Sequence, residues 1–502
     1  MDQQAQPPVY SLSVSGEVST KSSSTRRRFH RRLRANLREA LDRNGLGGRI
    51  LDRRDRIDIE QADPATPEIA RRAFGVQSVR TAHKVPGQRI ADLVDKGIEL
   101  YGNRVAGRRF AVRPRRVGKR QPNSPGTTEL ACALGQALVD RGGRVDLDAP
   151  DIRVHVEIRA DGMLLFDDPL PGTGGLPLGT AGRGLALISG GFDSAVAAWR
   201  MLLRGMDLDY VVFSLAGWPQ ERSVRRVLEI LDERWMAGSR SRLHVVDFRP
   251  VVARMRQQVH GSYWQVLLKR MMMHAADRIA RETRAEALIT GEVIGQVSSQ
   301  TLSNLRSITA HTHTPVLRPL VGLNKEEIVA AARRIGTFDV CAGNIEFCAL
   351  DGGKPVTSCR PGRLDRQEAR VGRELAETLA AERRVIRRQD FAPVEPEETV
   401  EVDQIPDGAA VIDLRREADF LKGSWPGAIH LDFDRAMEFA GNLPADRPYV
   451  FVCEFGLKSA FLAERMRRMG YRAWSLGGGA HELECIHPDA GGTPACASNA
   501  SP

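Results

Sequence analysis

Long apolar runs are missing from this sequence. Across 502 residues no stretch reaches about 18 consecutive apolar positions, and mean hydropathy is −0.31, which excludes a helical membrane span. The first thirty residues are polar and run into TRRRFHRR, without the apolar segment of a secretory signal, so a cytoplasmic protein is expected. Cysteine is scarce too. The seven (Cys132, Cys341, Cys348, Cys359, Cys453, Cys485, Cys496) are scattered and odd in number, which argues against a disulfide scaffold and for a reducing compartment with one or two reactive thiols. Cys341, Cys348 and Cys359 are spaced too widely for zinc and have no His pair nearby, so no metal held by a protein cluster is expected.

What is present is a strongly local basicity. The net charge is +10, yet residues 21–54 hold 12 Lys and Arg against 3 acids, and residues 104–120 hold 8 against none. These segments together carry +17 and the rest of the chain −7, so a polyanion-binding front end precedes a slightly acidic body.

The length suggests about three or four domains. VYSLSVSGEV alternates as a strand does, and in the Arg-rich stretch after it Phe29, Leu33, Leu37 and Leu41 recur at helical spacing. The Gly- and Pro-dense segment 169–184 marks a boundary. Beyond it, LALIS, YVVFSL, LHVVDF and ALITG alternate with helices, as a parallel sheet covered on both faces requires. A charged stretch, residues 363–388, reads as helical and leads through PVEPEE to a second, smaller parallel α/β unit.

LALISGGFDSAVAAW reads as strand, turn and helix. Gly190 and Gly191 lack side chains that would keep backbone N–H groups from phosphate oxygens, Ser189 and Ser194 offer hydroxyls, and the helix N-terminus adds its positive end. Asp193 would repel phosphate unless a divalent cation lies between, which implies Mg2+ accompanying a nucleotide. The Lys that holds β and γ phosphates in hydrolytic loops is lacking, so attack at the α phosphate with release of pyrophosphate is expected. An SGG turn alone is often only a tight connection. The complete SGGFDS resembles the PP-loop of the ATP pyrophosphatases, which adenylate an oxygen before a nucleophile displaces AMP.

In YVFVCEFGLKSAFLAERM, Cys453 ends a strand and begins a seven-residue loop to Ser459 that opens a helix. Amide N–H groups and a helix N-terminus favour a sulfur anion there, including that of a persulfide. With VIDLRREADF before it and GYRAWSLGGG after it, the region resembles the rhodaneses, with the nucleophile at Cys453 and the DxR strand end at Asp413 and Arg415.

SGEVSTKSSSTRRRFHRRL, the THUMP-like FAVRPRRVGKRQPNSPGTTELACALGQAL, KRMMMHAADRIA and TGEVIGQVSSQTLSNL complete a resemblance to the tRNA 4-thiouridine synthetases over about residues 10–485. The resemblance implies an α/β multidomain protein: an N-terminal ferredoxin-like α+β domain (1–60), a THUMP domain (61–168), a doubly wound PP-loop ATP pyrophosphatase domain (169–395), a rhodanese-like α/β domain (400–485) and a tail (486–502). ATP would be held by Leu187, Ile188, the PP-loop, Lys269, Gly291 and Gln300, with GEVIGQVSSQTLSNL as a loop too rich in small polar residues to pack as a helix. Phosphates of tRNA would meet Arg26, Arg27, Arg31, Arg113, Arg115, Arg116, Lys119 and Arg120. Cys453, charged by a cysteine desulfurase, would deliver sulfur by direct attack or after sulfide release, with Cys348 ending in a disulfide with it either way, a part in which Cys341 or Cys359 could substitute. The family resemblance further implies a homodimer and a second role, sulfur supply for thiamine thiazole through a sulfur-carrier protein; the alternative reading is a sulfur carrier that serves mainly thiamine biosynthesis.

Overall fold

The computed structural model describes residues 8–53, 56–85, 89–118, 125–159, 162–215, 217–342, 354–393, 400–454, 456–477 and 479–480. Its contacts divide into two compact units: residues 1–182 with 201–207 and 234–239, and residues 183–200, 208–233 and 240–502.

The first unit is built on a nine-stranded sheet. From one edge the strands are Arg49–Arg53, Arg56–Glu60, Val9–Val14, Val76–Val85, Gly162–Phe166, Ile152–Arg159, Arg109–Arg116 and Arg144–Val145, with Leu170–Pro171 paired to Val76–Val85. Strands from both expected N-terminal modules thus join one hydrogen-bonded sheet. Helix Ser23–Arg43 buries Phe29, Leu33, Leu37 and Leu41 in a core with Leu12, Ile57, Ile59 and Val79, which leaves Arg27 and Arg31 on its exposed side. At the other end, helices Ile90–Val105 and Thr127–Val139 share a core with Phe110, Val154 and Leu165.

The second unit holds two sheets. Six strands lie in the order Val316–Leu317, Ala287–Ile289, Arg183–Leu187, Asp207–Ser214, Arg242–Asp247 and Arg384–Arg387. The last runs antiparallel to its neighbour. Helix Trp264–Thr283 covers this sheet with Val266, Leu267, Met271, Ala275 and Ile279. Five parallel strands, in the order Glu401–Val402, Ala473–Leu476, Tyr449–Val452, Ala410–Asp413 and Ile429–His430, form the other sheet.

The segment 363–388 departs from the single helical reading. Helices Pro361–Val371 and Arg373–Ala381 are separated by Gly372 at φ 81°, and Arg384–Arg387 is the antiparallel edge strand. The β-branched pair Val385 and Ile386 explains the switch, because Ile386 pairs with Leu243 and is buried while its charged neighbours stay in solvent.

Candidate functional site

Strand Arg183–Leu187 and the residue after it, Ile188, deliver the chain to the Ser189–Ser194 turn, from which helix Phe192–Leu203 departs. Gly190 takes φ 88°, a left-handed conformation that glycine reaches without steric cost. Serines close the turn: the Ser189 N–H donates to Ser194 Oγ at 3.2 Å, and Ser194 Oγ donates to the Gly191 carbonyl at 3.0 Å. Gly291, just past strand Ala287–Ile289, packs directly on this turn. A Cβ there would lie 2.6 Å from the carbonyl carbon of Asp193 and 2.8 Å from the Ser194 nitrogen, so only glycine allows the two loops to approach.

Asp193 is engaged on both oxygens. Gln296 Nε2 donates to Oδ2 at 2.9 Å, and Lys325 Nζ lies 3.2 Å from Oδ1 and 5.4 Å from the centre of the Phe192 ring. Lys325 is the first residue of helix Lys325–Ile335, whose start is set by Asn324 and Glu327 in a reciprocal capping box. Lys269 Nζ is 3.6 Å from buried Glu292, which also accepts from Arg318 at 2.9 Å and from Thr290 at 3.1 Å. Gln300 is buried, and its Oε1 has no hydrogen-bond partner among the described residues. The structure therefore gathers Ser189, Gly190, Gly191, Asp193, Ser194 and Gly291 closely, and joins Lys269 to the neighbourhood through Glu292. Gln296 and Lys325 escaped the sequence reading. The capping-box spacing in LNKEE was the available signal for a helix start there, but nothing local says that the helix points at Asp193.

One expected loop, residues 291–305, ends in a helix. Leu302–Ile308 is helical, with Thr301 as its N-cap accepting from the Asn304 N–H at 3.2 Å. Its small polar residues do pack, because they bond to backbone groups of another segment. Thr301 Oγ1 donates to the Thr357 carbonyl at 2.6 Å and Ser303 Oγ to the Cys359 carbonyl at 3.1 Å.

Cys348, like Cys485 and Cys496, lies outside the described residues. Cys341 and Cys359 are both buried. Burial, with the Asp193 charge adding to it, pushes the Cys341 thiol up to about 12, and burial likewise raises that of Cys359. Both therefore remain protonated at neutral pH, unsuited to nucleophilic attack.

Cys453 follows strand Tyr449–Val452 and is 4% exposed. Helix Leu457–Arg468 starts three residues earlier than the loop reading placed it, because Gly456 at φ 80° forms its N-cap. This puts Ser459 in the first helical turn. Its N–H points to Cys453 Sγ at 3.4 Å and its hydroxyl lies 3.2 Å from the sulfur, while Ser475 Oγ donates to Ser459 Oγ at 2.8 Å. Asp413, fully buried, pairs with Arg415 at 2.7 Å and accepts from Ser424 at 2.7 Å. Burial opposes ionisation of Asp413, but these partners outweigh it and hold the carboxyl below its usual range. Arg415 also donates to the Gly423 carbonyl, which ties the strand end to the loop after it.

Among the basic residues, Arg27 and Arg31 are exposed and Arg26 donates to the Ser19 carbonyl at 3.3 Å. Arg113 bonds the Leu147 carbonyl, Arg116 the Pro125 carbonyl, and Arg115 lies 3.4 Å from Glu157. Burial would raise the Glu157 carboxyl, yet Arg159 and Arg56 hold it below its usual range. Lys119 and Arg120 lie outside the described residues. No group of three or more His, Cys, Asp or Glu suited to a metal occurs among the described residues, and none of their helices is long and apolar enough to cross a membrane.

Three stretches match family models: a THUMP domain over residues 89–168, the thiamine biosynthesis protein (ThiI) over 179–372, and a rhodanese-like domain over 398–484. With the two α/β sheets and the Gly-rich turn, these define a multidomain α/β enzyme joining a PP-loop-type domain to THUMP and rhodanese modules. A tRNA sulfurtransferase of Desulfurococcus amylolyticus is 36% identical over 482 residues, covering 94% of this chain and 97% of the relative. One from Pyrobaculum aerophilum is 34% identical, covering 92% and 95%. A solved 4-thiouridine synthetase, in complex with RNA and bound ATP, superposes with a TM-score of 0.69 at 31% identity, covering 76% of this chain and 100% of that one. The chain belongs to the tRNA sulfurtransferase family and is an enzyme of that activity.

Proposed function

We propose that the chain binds ATP at the Ser189–Ser194 turn and converts a tRNA uridine, position 8, to 4-thiouridine with sulfur carried on Cys453. The observation that carries this is the engagement of Asp193, at the turn, by Lys325 and Gln296 from two further loops. Mg2+ takes few protein oxygens and several from phosphate, so Asp193 could hold it once Lys325 turns from Oδ1 toward the phosphates. Bound there with Asp193, it would neutralise charge on the phosphates.

Uracil O4 attacks the α phosphorus, the bond to the β-phosphate oxygen breaks, and pyrophosphate leaves with its electron pair while N3 loses its proton. Adenylated O4 is a good leaving group. A cysteine desulfurase has by then converted Cys453 to its persulfide, whose terminal sulfur attacks C4 and expels AMP, leaving a Cys453 disulfide to the base. Thiolate from Cys348 attacks Cys453 Sγ, releasing 4-thiouridine and forming the Cys348–Cys453 disulfide. A cellular dithiol returns the two electrons by exchange.

Mass analysis of tRNA nucleosides after incubation with ATP, desulfurase and cysteine tests substrate and position together. Wild-type chain yields 4-thiouridine at position 8 over many turnovers; full multiple turnover by Cys453→Ala would sink the sulfur-carrier assignment. The match to the thiamine biosynthesis protein (ThiI) model supports a second role, sulfur supply to a thiazole-forming sulfur-carrier protein. In that case Cys453→Ala, but not Asp193→Ala, loses rescue of a thiazole auxotroph. Light scattering of the full chain tests the expected homodimer.

A further inference from the structure

Glu292 is 5% exposed, and its one carboxylate meets two cations. Arg318 Nε donates to Oε2 at 2.9 Å and Thr290 Oγ1 donates to the same oxygen at 3.1 Å, whereas Lys269 Nζ stands 3.6 Å from Oε1, beyond hydrogen-bond reach. Three elements converge here. Lys269 lies on helix Trp264–Thr283, and Glu292 follows Gly291, which packs on the Asp193–Ser194 backbone. Arg318 follows strand Val316–Leu317 and is set beside Thr290 by the bond from the Thr290 N–H to the Leu317 carbonyl at 3.1 Å. Among the described residues Glu292 is the only acid paired with either cation, and Arg318 Nη2 is buried without a hydrogen-bond partner.

We infer that Arg318 is a positioning residue for adenylation: by occupying Glu292 it keeps the Lys269 ammonium free for the phosphate chain of ATP. This rests on the reading of Lys269 as a phosphate partner. The balance of charge carries the argument. Lys269, Arg318 and Glu292 together hold +1, so one positive charge is left over beside a turn that must receive a polyanion. Without Arg318 the balance is zero. A buried carboxylate left with one cation draws it into a close pair, because an unpaired buried charge is the costlier state. The Lys269 ammonium then closes on Oε1 and is withdrawn from the nucleotide. Removing the Glu292 charge as well restores +1 and releases the ammonium. Arg318 itself touches no reacting atom. A residue that merely anchored strand Val316–Leu317 would gain nothing from a second substitution that removes its only partner acid.

The test uses the full chain with tRNA and reads pyrophosphate release over a range of ATP concentrations. Arg318→Met is expected to lower kcat/KM for ATP about thirtyfold, the scale of one lost electrostatic contact to phosphate. Arg318→Lys, which can still pair with Glu292, and the double variant Arg318→Met with Glu292→Gln should both recover it to within about fivefold of wild type. A double variant as slow as Arg318→Met, or an Arg318→Met of wild-type kcat/KM, overturns the inference. If Arg318→Met does not fold, Arg318→Gln decides by the same comparison. Lys269→Met is the control: wild-type kcat/KM from it sinks the phosphate reading of Lys269, whereas a slow Lys269→Met beside a normal Arg318→Met sinks only the role of Arg318.

Discussion

Lys325 Nζ lies 3.2 Å from Asp193 Oδ1, although 132 residues separate them in the chain. The ammonium offsets the Asp193 charge beside a turn built to receive phosphate, and its removal leaves that carboxylate without its cationic partner. Lys325→Met is expected to lower the rate of tRNA-dependent pyrophosphate release by about 100-fold, the scale seen when one preorganised electrostatic group is lost. Lys325→Arg should recover part of that rate. Transfer of sulfur from Cys453 to a small thiol acceptor should be untouched by either change.

Ser459 points its N–H at Cys453 Sγ and holds its hydroxyl 3.2 Å from the sulfur, with the Gly456 carbonyl at 3.0 Å as an acceptor for the hydroxyl proton. Ser459→Ala removes only the hydroxyl, and with it the bond that Ser475 makes to that oxygen. Single-turnover sulfur transfer from Cys453 should fall about tenfold, roughly the worth of one hydrogen bond to a charged sulfur. Pyrophosphate release should stay at the wild-type rate.

Arg27 and Arg31 stand exposed, whereas Arg115 is partnered by Glu157 and Arg116 by the Pro125 carbonyl. Each cation that meets a phosphate should contribute about one unit of salt slope to tRNA affinity. Arg27→Ala and Arg31→Ala should each weaken binding several-fold and flatten that slope, while Arg115→Ala should do less, since its charge is already shared with a carboxylate. Binding titrations at three salt concentrations distinguish the two classes.

Hydrogen bonding by His83, then by Arg104, outweighs burial and lowers the Asp167 carboxyl from 3.8 to about 2. Because the folded value is depressed, the stabilisation is complete above pH 3.8 and is lost as pH falls toward 2. With its carboxyl about a third exposed, the contribution is on the order of 1–2 kcal/mol after solvent screening. Amide protection in helix Ile90–Val105, which carries Arg104, should therefore drop through that window in the wild type and change little with pH in Asp167→Asn.

The parts legible in the sequence are those whose chemistry is contiguous. Ser189–Ser194 and Cys453 with its following helix could be read because strand, turn and helix follow one another within twenty residues. Lys325 and Gln296 could not, since only the parallel sheet order brings their loops to Asp193. The loop reading of 291–305 fails from Leu302 onward, because small polar side chains can pack in a helix when they bond to backbone, as buried Asn304 does. In the stretch 363–388, charge density hid two local signals, the break at Gly372 and the β-branched pair before Arg387.

Strand Arg384–Arg387 completes the six-stranded sheet from beyond residue 372, where the ThiI match stops. It covers the outer row of backbone N–H and carbonyl groups on Arg242–Asp247. A recombinant fragment trimmed to the matched region would expose that row as a bare sheet edge, ready to pair with another copy. Self-association and precipitation are the expected fate of such a truncation, and a cut placed after Asp390 would keep the fragment soluble by leaving the edge covered.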